Sequence, residues 1–193
     1  MNIGVLGLQG SYAKHFAMLS SLKINPVNVR WPDELGSCDG LIIPGGESTT
    51  ITKLLKKNEL QDALVQFAKE KPVFGTCAGM ILMAKSVEDS RVRTLNLIDI
   101  NVDRNGYGRQ VDSFVNELDI NLNGRSFSMR GVFIRAPRII KTGDDVEILA
   151  SIKNEPVLVR QGHHIAASIH PELTNESRIH KYFSSLSTEL SIA

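Results

Sequence analysis

The run Pro72-Val73-Phe74-Gly75-Thr76-Cys77-Ala78-Gly79-Met80 restricts what this chain can fold into more than any other stretch. An apolar, strand-like piece enters Gly-x-Cys-x-Gly, and a helix-like stretch from Ile81 to Ser86 follows at once. Such a junction reads as a nucleophile elbow, a sharp strand-to-helix turn that needs residues without a Cβ on either side, here Gly75 and Gly79. The Cys77 sulfur would then stand at the N-terminal end of a helix, where free backbone N–H groups and the helix dipole favour thiolate over thiol. A plainer account is a buried, inert cysteine beside turn glycines. The strand and helix patterns around both glycines favour the nucleophile.

The elbow sits in an alternating chain. Asn2 to Leu8 reads as a buried strand, broken by Gln9-Gly10-Ser11 before a helical pattern from Tyr12 to Leu22 with Phe16, Leu19 and Leu22 on one side. Pro26 to Trp31 reads as a second strand and Gly40 to Ile43 as a third, stopping at Pro44-Gly45-Gly46-Glu47-Ser48. Helical spacing recurs from Ser48 to Lys57 and from Asn58 to Lys69. This alternation predicts an α/β domain with a largely parallel sheet, whose ligands bind at the carboxyl ends of the strands. The loops Gln9-Gly10, Gly45 to Ser48 and Gly75 to Gly79 all fall at such ends.

After the elbow helix the texture becomes strand-like. Leu95 to Val102, Val111 to Leu122, Ser126 to Ile134, Val146 to Ile152, Val157 to Val159 and His164 to Ile169 alternate or are rich in β-branched residues. They are expected to extend the sheet with antiparallel strands and close back over it, and Glu176 to Leu190 is expected to form a last helix. At 193 residues a single domain over 1–193 is the default.

A thiol nucleophile needs an imidazole in reach and a third group to orient it. Of the five histidines, His15 and His180 lie in helix-like stretches with polar neighbours and read as solvated, while His163 and His164 open a strand and suit an edge position. His170 differs: it ends the apolar run Ile165 to Ile169 and precedes Pro171-Glu172. Proline fixes the local backbone, and residues two apart in extended chain face the same way, so Glu172 can orient the His170 ring. Backbone N–H groups at Gly45-Gly46 and Ala78 can serve a developing oxyanion; a tight turn into a helix capped by Ser48 is the plainer reading of those glycines.

A net charge of +1 and no basic run longer than Lys56-Lys57 argue against nucleic acid or an anionic membrane as partner. No stretch approaches the 18 or so apolar residues of a membrane span, and Met1 to Leu8 lacks the basic leader of a signal peptide, so a soluble cytoplasmic protein is expected. The two cysteines, Cys38 and Cys77, show neither disulfide-framework nor metal-knuckle spacing, and Cys38 reads as a small core residue.

Taken together, Gly75-Thr76-Cys77-Ala78-Gly79, Pro44-Gly45-Gly46-Glu47-Ser48 and His170-Pro171-Glu172 resemble a class I, triad-type glutamine amidotransferase. Within that class, the segments Gly4 to Gly10, Gly46 to Thr50, Gly108 to Phe114 and Gly131 to Pro137 resemble the glutaminase subunits of pyridoxal 5′-phosphate synthases, and the likeness runs from Asn2 to Leu173. The resemblance implies a three-layer fold and hydrolysis of L-glutamine, with Cys77 as nucleophile, His170 as proton relay and Glu172 as orienter. It implies a glutamine pocket of Gly46, Glu47, Ser48, Arg104, Ile134 and Arg135, where a guanidinium suits the substrate carboxylate. Gln9 and Gly10, with Gly45, Gly46 and Ala78, would form the oxyanion region, Gln9 and Gly10 also facing a synthase subunit. Ammonia would pass to that partner in a large hetero-oligomer. The vitamin is then the product of the complex, and this chain holds no cofactor and no metal. The same motifs fit a glutaminase serving another ammonia-using synthase, or a non-catalytic module of the same fold.

Overall fold

The computed structural model describes residues 1–106 and 113–192. In chain order the elements are β1 (Asn2–Leu6), α1 (Tyr12–Ser21), β2 (Asn25–Val29), β3 (Gly40–Ile43), α2 (Ser48–Lys57), α3 (Leu60–Phe67), β4 (Val73–Thr76) and α4 (Ala78–Met83). There follow β5 (Ala84–Val87), β6 (Ile98–Asp103), β7 (Ser113–Leu122), β8 (Arg125–Ile134), β9 (Arg138–Thr142), β10 (Glu147–Ile152), β11 (Glu155–Gln161), β12 (His164–Ala167) and α5 (Arg178–Ile192).

A seven-stranded sheet of order β10-β11-β12-β4-β3-β1-β2 forms the centre. The pairs β1 with β2, β1 with β3, β3 with β4 and β4 with β12 are parallel, while β11 runs antiparallel to β12 and β10 to β11. Because strand side chains alternate, the interior strands feed two cores at once. Leu41, Ile43 and Val73 pack with Ile51, Leu55, Leu60 and Leu64 of α2 and α3, and with α4. Ile3, Val5, Ile42 and Phe74 turn the other way and pack with Leu19 of α1 and with Ile179 and Phe183 of α5. The expected three layers follow from that division. Among the described residues no helix is long and apolar enough to cross a membrane.

Several expectations need correction. The helix after the elbow runs from Ala78 to Met83 rather than from Ile81 to Ser86, and residues 84–87 leave it as β5 to pair with β6. Only β10, β11 and β12 extend the main sheet, and β12 does so in parallel. The strands β5, β6 and β9 make a separate three-stranded sheet, and β7 and β8 a long two-stranded hairpin. Strand β9, at Arg138–Thr142, lies outside every strand expected from the sequence. His164 is not at an edge: β12 lies between β11 and β4, and the buried ring accepts the Val73 N–H at 3.2 Å. Of the Gly108 to Phe114 motif, residues 108–112 lie outside the described residues.

Candidate active site

The parallel strands place four loops along one end of the sheet. Gln9 and Gly10 follow β1, Gly45 to Ser48 follow β3, Cys77 follows β4, and His170 lies just beyond β12. These are the carboxyl ends, where an open α/β sheet leaves a crevice.

Cys77 has φ 50° and ψ −105°, outside the regions open to an unstrained L-residue. Such a backbone costs about 1–3 kcal/mol and persists only where its surroundings enforce it. Here the Cys77 N–H donates to the Ala167 carbonyl at 2.8 Å, and Cys77 is followed directly by α4. The flanking glycines permit the turn for a specific reason. A Cβ on Gly79 would lie 2.0 Å from the Ile43 carbonyl oxygen, and one on Gly75 would lie 2.6 Å from the Gly79 carbonyl carbon. Backbone therefore packs on backbone, and no larger residue fits at either place.

Beside the elbow the His170 ring presents Nδ1 to Glu172 Oε1 at 2.7 Å, and both residues are buried. Burial alone would push the His170 pKa down, but hydrogen bonds to Cys77 and Glu172, together with their charges, raise it to about 10. With Nδ1 committed to Glu172, the Nε2 side is left for the sulfur. Burial also works against charge on Glu172, yet the His15 and His170 rings that face it hold the carboxylate well below its ordinary range. The Cys77 Sγ donates to the Ile134 carbonyl at 3.8 Å.

Gly45 lies beneath this arrangement. A methyl group there would fall 2.2 Å from His170 Cε1 and 3.3 Å from Cys77 Cβ. Its N–H donates to Thr76 Oγ1 at 3.1 Å and its carbonyl accepts the Ser11 N–H at 2.9 Å. The Gly45 amide is thus not directed at an oxyanion as placed. Gly10 is held at φ +102°, its Cα against the Gly45 carbonyl, where a Cβ would stand 1.9 Å from the oxygen. The Gln9 side chain folds across Gly46 and accepts the Glu47 N–H at 2.7 Å.

A cavity of about 280 Å³ opens above the sulfur. Gln9, Gly10, Gly45, Gly46, Glu47, Ser48, Cys77, Arg104, Ile134, Arg135 and His170 line it, with Ser11, Ile81 and Asn105. Of the residues anticipated from sequence, Glu172 stands behind His170 and Ala78 is buried at the head of α4. Glu47, not Ser48, caps α2, accepting from the N–H groups of Thr49 and Thr50 and from both hydroxyls. It also receives Arg104 at 2.5 Å, and Asp89 takes the other arm of that guanidinium at 2.7 Å. Arg135 is exposed at the rim, in the left-handed region at φ 41°, and has no ion pair among the described residues. Ser48 Oγ is buried without a hydrogen-bond partner among the described residues.

A model of the SNO glutamine amidotransferase family matches residues 5–188. The chain belongs to the SNO glutamine amidotransferase family. Within reach of this SNO-family chain are curated relatives named pyridoxal 5′-phosphate synthase subunit PdxT. The one from Thermosipho africanus is 50% identical over 184 residues, covering 95% of this chain and 97% of the relative. The one from Kosmotoga olearia is 50% identical over 185 residues, covering 95% and 96%. A crystal structure of a glutamine amidotransferase, 42% identical, superposes with a TM-score of 0.91 over 96% of this chain and 98% of that one. PurLQS from Thermotoga maritima, 15% identical with a TM-score of 0.67 over 99% and 97% of the two chains, shares the fold alone.

The SNO-family chain also carries site residues that sequence reasoning missed. Ser11 Oγ donates to Glu172 Oε1 at 2.8 Å, and Asp89 anchors Arg104 from the loop after β5. His15 and His180, expected to be solvated, have no exposed surface at all. No local pattern marks them, because the groups that satisfy them come from distant parts of the chain.

Proposed function

We propose that this chain is a glutaminase domain spanning residues 1–193, and that it hydrolyses L-glutamine to L-glutamate and ammonia. The ammonia is handed to a synthase subunit that builds pyridoxal 5′-phosphate in the cytoplasm. One observation carries the reading: a buried His170, raised in basicity and pinned by Glu172, adjoins a cysteine on a strained elbow at the floor of a small cavity. The curated relatives' name supplies the synthase.

In this reading the Cys77 sulfur, as thiolate beside the His170 imidazolium, attacks the side-chain amide carbon of glutamine. A carbon–sulfur bond forms and the carbonyl electrons move to oxygen. The N–H groups of Ala78 and Gly46 are the nearest candidates to receive that oxyanion, the first being among the unpaired amides of a helix start. His170 then gives its Nε2 proton to the amide nitrogen, the carbon–nitrogen bond breaks, and ammonia leaves a thioester on Cys77. Water attacks the thioester while His170 takes its proton, the carbon–sulfur bond breaks, and glutamate departs with the original ion pair restored.

Arg135 is the guanidinium free to meet the substrate carboxylate, since Arg104 is already shared by Glu47 and Asp89. Ser48 Oγ offers an unused hydroxyl in the same wall. Gln9 and Gly10, at the mouth and against Gly45 and Gly46, suit the face that meets the synthase.

The test mixes the purified chain, the candidate synthase subunit, its phosphosugar substrates and glutamine. Glutamate and pyridoxal phosphate are expected together with the wild-type chain, and neither with Cys77→Ala. Glutamate formation by the Cys77→Ala protein would overturn the reading.

A further inference from the structure

The buried imidazoles His15 and His180 play no part in the chemistry described above, yet they touch it. Glu172 uses Oε1 for both His170 Nδ1 and Ser11 Oγ, at 2.7 and 2.8 Å. Its other oxygen, Oε2, is buried and has no hydrogen bond of normal length among the described residues. Facing Oε2 at 3.5 Å is His15 Nε2, from α1. That same nitrogen stands 3.3 Å from Thr76 Oγ1, the hydroxyl that accepts the Gly45 N–H. On its far side His15 Nδ1 lies 3.0 Å from His180 Nε2 of α5, and the His180 ring is set edge-on against Phe74 at 5.7 Å.

We propose that His15, backed by His180, is a positioning residue that holds the second oxygen of Glu172 and so keeps the His170 ring aimed at Cys77. The proposal rests on the glutaminase reading above and deepens it. The carboxylate decides the tautomers. A buried carboxylate oxygen requires a donor, so His15 carries its proton on Nε2. Its Nδ1 is then an acceptor, and His180 must supply an Nε2 proton to it. Among the described residues this leaves His180 Nδ1 as a bare lone pair, whereas the opposite assignment would bury an N–H with no acceptor. Burial, the largest cause, pushes the His180 pKa well down, so that ring is a neutral donor.

The groups facing this pair from the packed elements are Thr76 and Phe74 of β4 and Glu172, and Ser11 and His170 reach it through Glu172. When His170 has passed its proton to the departing nitrogen, Glu172 loses its cationic partner for part of the cycle. The neutral ring's Nδ1–H and Ser11 Oγ still hold Oε1, and His15 is the group that faces Oε2. Ser11, just before α1, and His15 in its first turn follow directly on Gln9 and Gly10, so the segment nearest the expected synthase face is also the one that grips the carboxylate.

Two substitutions separate this role from simple filling of space. A glutamine at position 15 ends in an amide near the ε position, whereas an asparagine reaches only the δ position. With the synthase present, His15→Gln is expected to keep kcat within about threefold of wild type, and His15→Asn to lower kcat about 10–100-fold, the cost usual for outer-sphere orienting groups, with KM unchanged. The alkaline limb of the rate profile should move to lower pH in His15→Asn and stay in place in His15→Gln. Equal kcat and the same alkaline limb in wild type and both variants would overturn the proposal. Failure of the wild-type chain to release glutamate would instead overturn the functional reading. Should the variants not fold, nitrogen NMR of the wild-type chain reads the tautomers directly: protons on Nε2 of both His15 and His180 support the proposal, and a bare Nε2 on His15 refutes it.

Discussion

The Nδ1 of His170 stands 2.7 Å from Oε1 of Glu172, two residues away in the chain and across a proline that begins a short 3-10 turn. The carboxylate meets the Nδ1 edge of the ring, which keeps its opposite edge for the sulfur. Extended spacing alone would have put both side chains on one face. Both residues are buried, which strengthens a charge-assisted contact of this length.

The His170 ring binds its proton more tightly in the folded chain than its ordinary value of 6.5, at about 10. The stabilisation from this pairing is therefore complete below about pH 6.5 and is lost as pH rises through about 10. Denaturant unfolding of the wild type between pH 6 and 10 should show falling stability, and Cys77→Ala, which removes one of the two partners, should show a shallower fall. Parallel curves for the two proteins would contradict the assignment.

Glu172 behaves in the opposite sense. Its carboxyl is held below the ordinary 4.5, so the stability it contributes is present above that pH and is lost as the solution is acidified. Glu172→Gln should be less stable than wild type at neutral pH and should converge with it in acid unfolding. A constant difference across the acid range would contradict this.

Gly45→Ala is expected to separate activity from fold. The new methyl meets a side-chain ring, His170, which can swing aside, so the chain should still fold while kcat drops by at least about a hundredfold through misalignment. Gly79→Ala meets the Ile43 carbonyl of the central sheet instead, and should lower the melting temperature as well as the rate. Thermal melts beside rate assays distinguish the two.

Asp89 reaches the cavity only through Arg104, which it shares with Glu47. Asp89→Ala should loosen that wall, raising KM for glutamine by roughly three- to tenfold with little change in kcat, as expected for a partly exposed ion pair. A loss in kcat with unchanged KM would place Asp89 in the chemistry instead.

Much of the site is legible in the sequence. The elbow is readable because two close backbone approaches each demand a glycine, and that demand is local. The bounds of β3 and α2 coincide with the apolar run at Gly40 to Ile43 and the helical spacing from Ser48 to Lys57. What escaped was decided at a distance. The stretch Ile81 to Ala84 is apolar throughout, so its period could not tell helix from strand, and pairing with β6 pulls residues 84–87 out of the helix. In α1 the expected stripe of Phe16, Leu19 and Leu22 has Leu19 buried and Phe16 packed against the core, but the other fully buried position is His15. His15 can be there because His180, 165 residues on, Thr76 and Glu172 supply polar partners. The capping role of Glu47 was hidden for a related reason, since Ser48 is the more usual cap and only the fold shows which side chain turns back.

The central claim is that Cys77 carries the acyl group during glutamine hydrolysis. Mass spectrometry after exposure to a diazoketone analogue of glutamine, with the synthase subunit present, tests it most directly. The account predicts one adduct per chain, on Cys77 and not on Cys38, slowed in His170→Ala and protected by glutamine. Labelling that persists in Cys77→Ala, or that falls on Cys38, would contradict it.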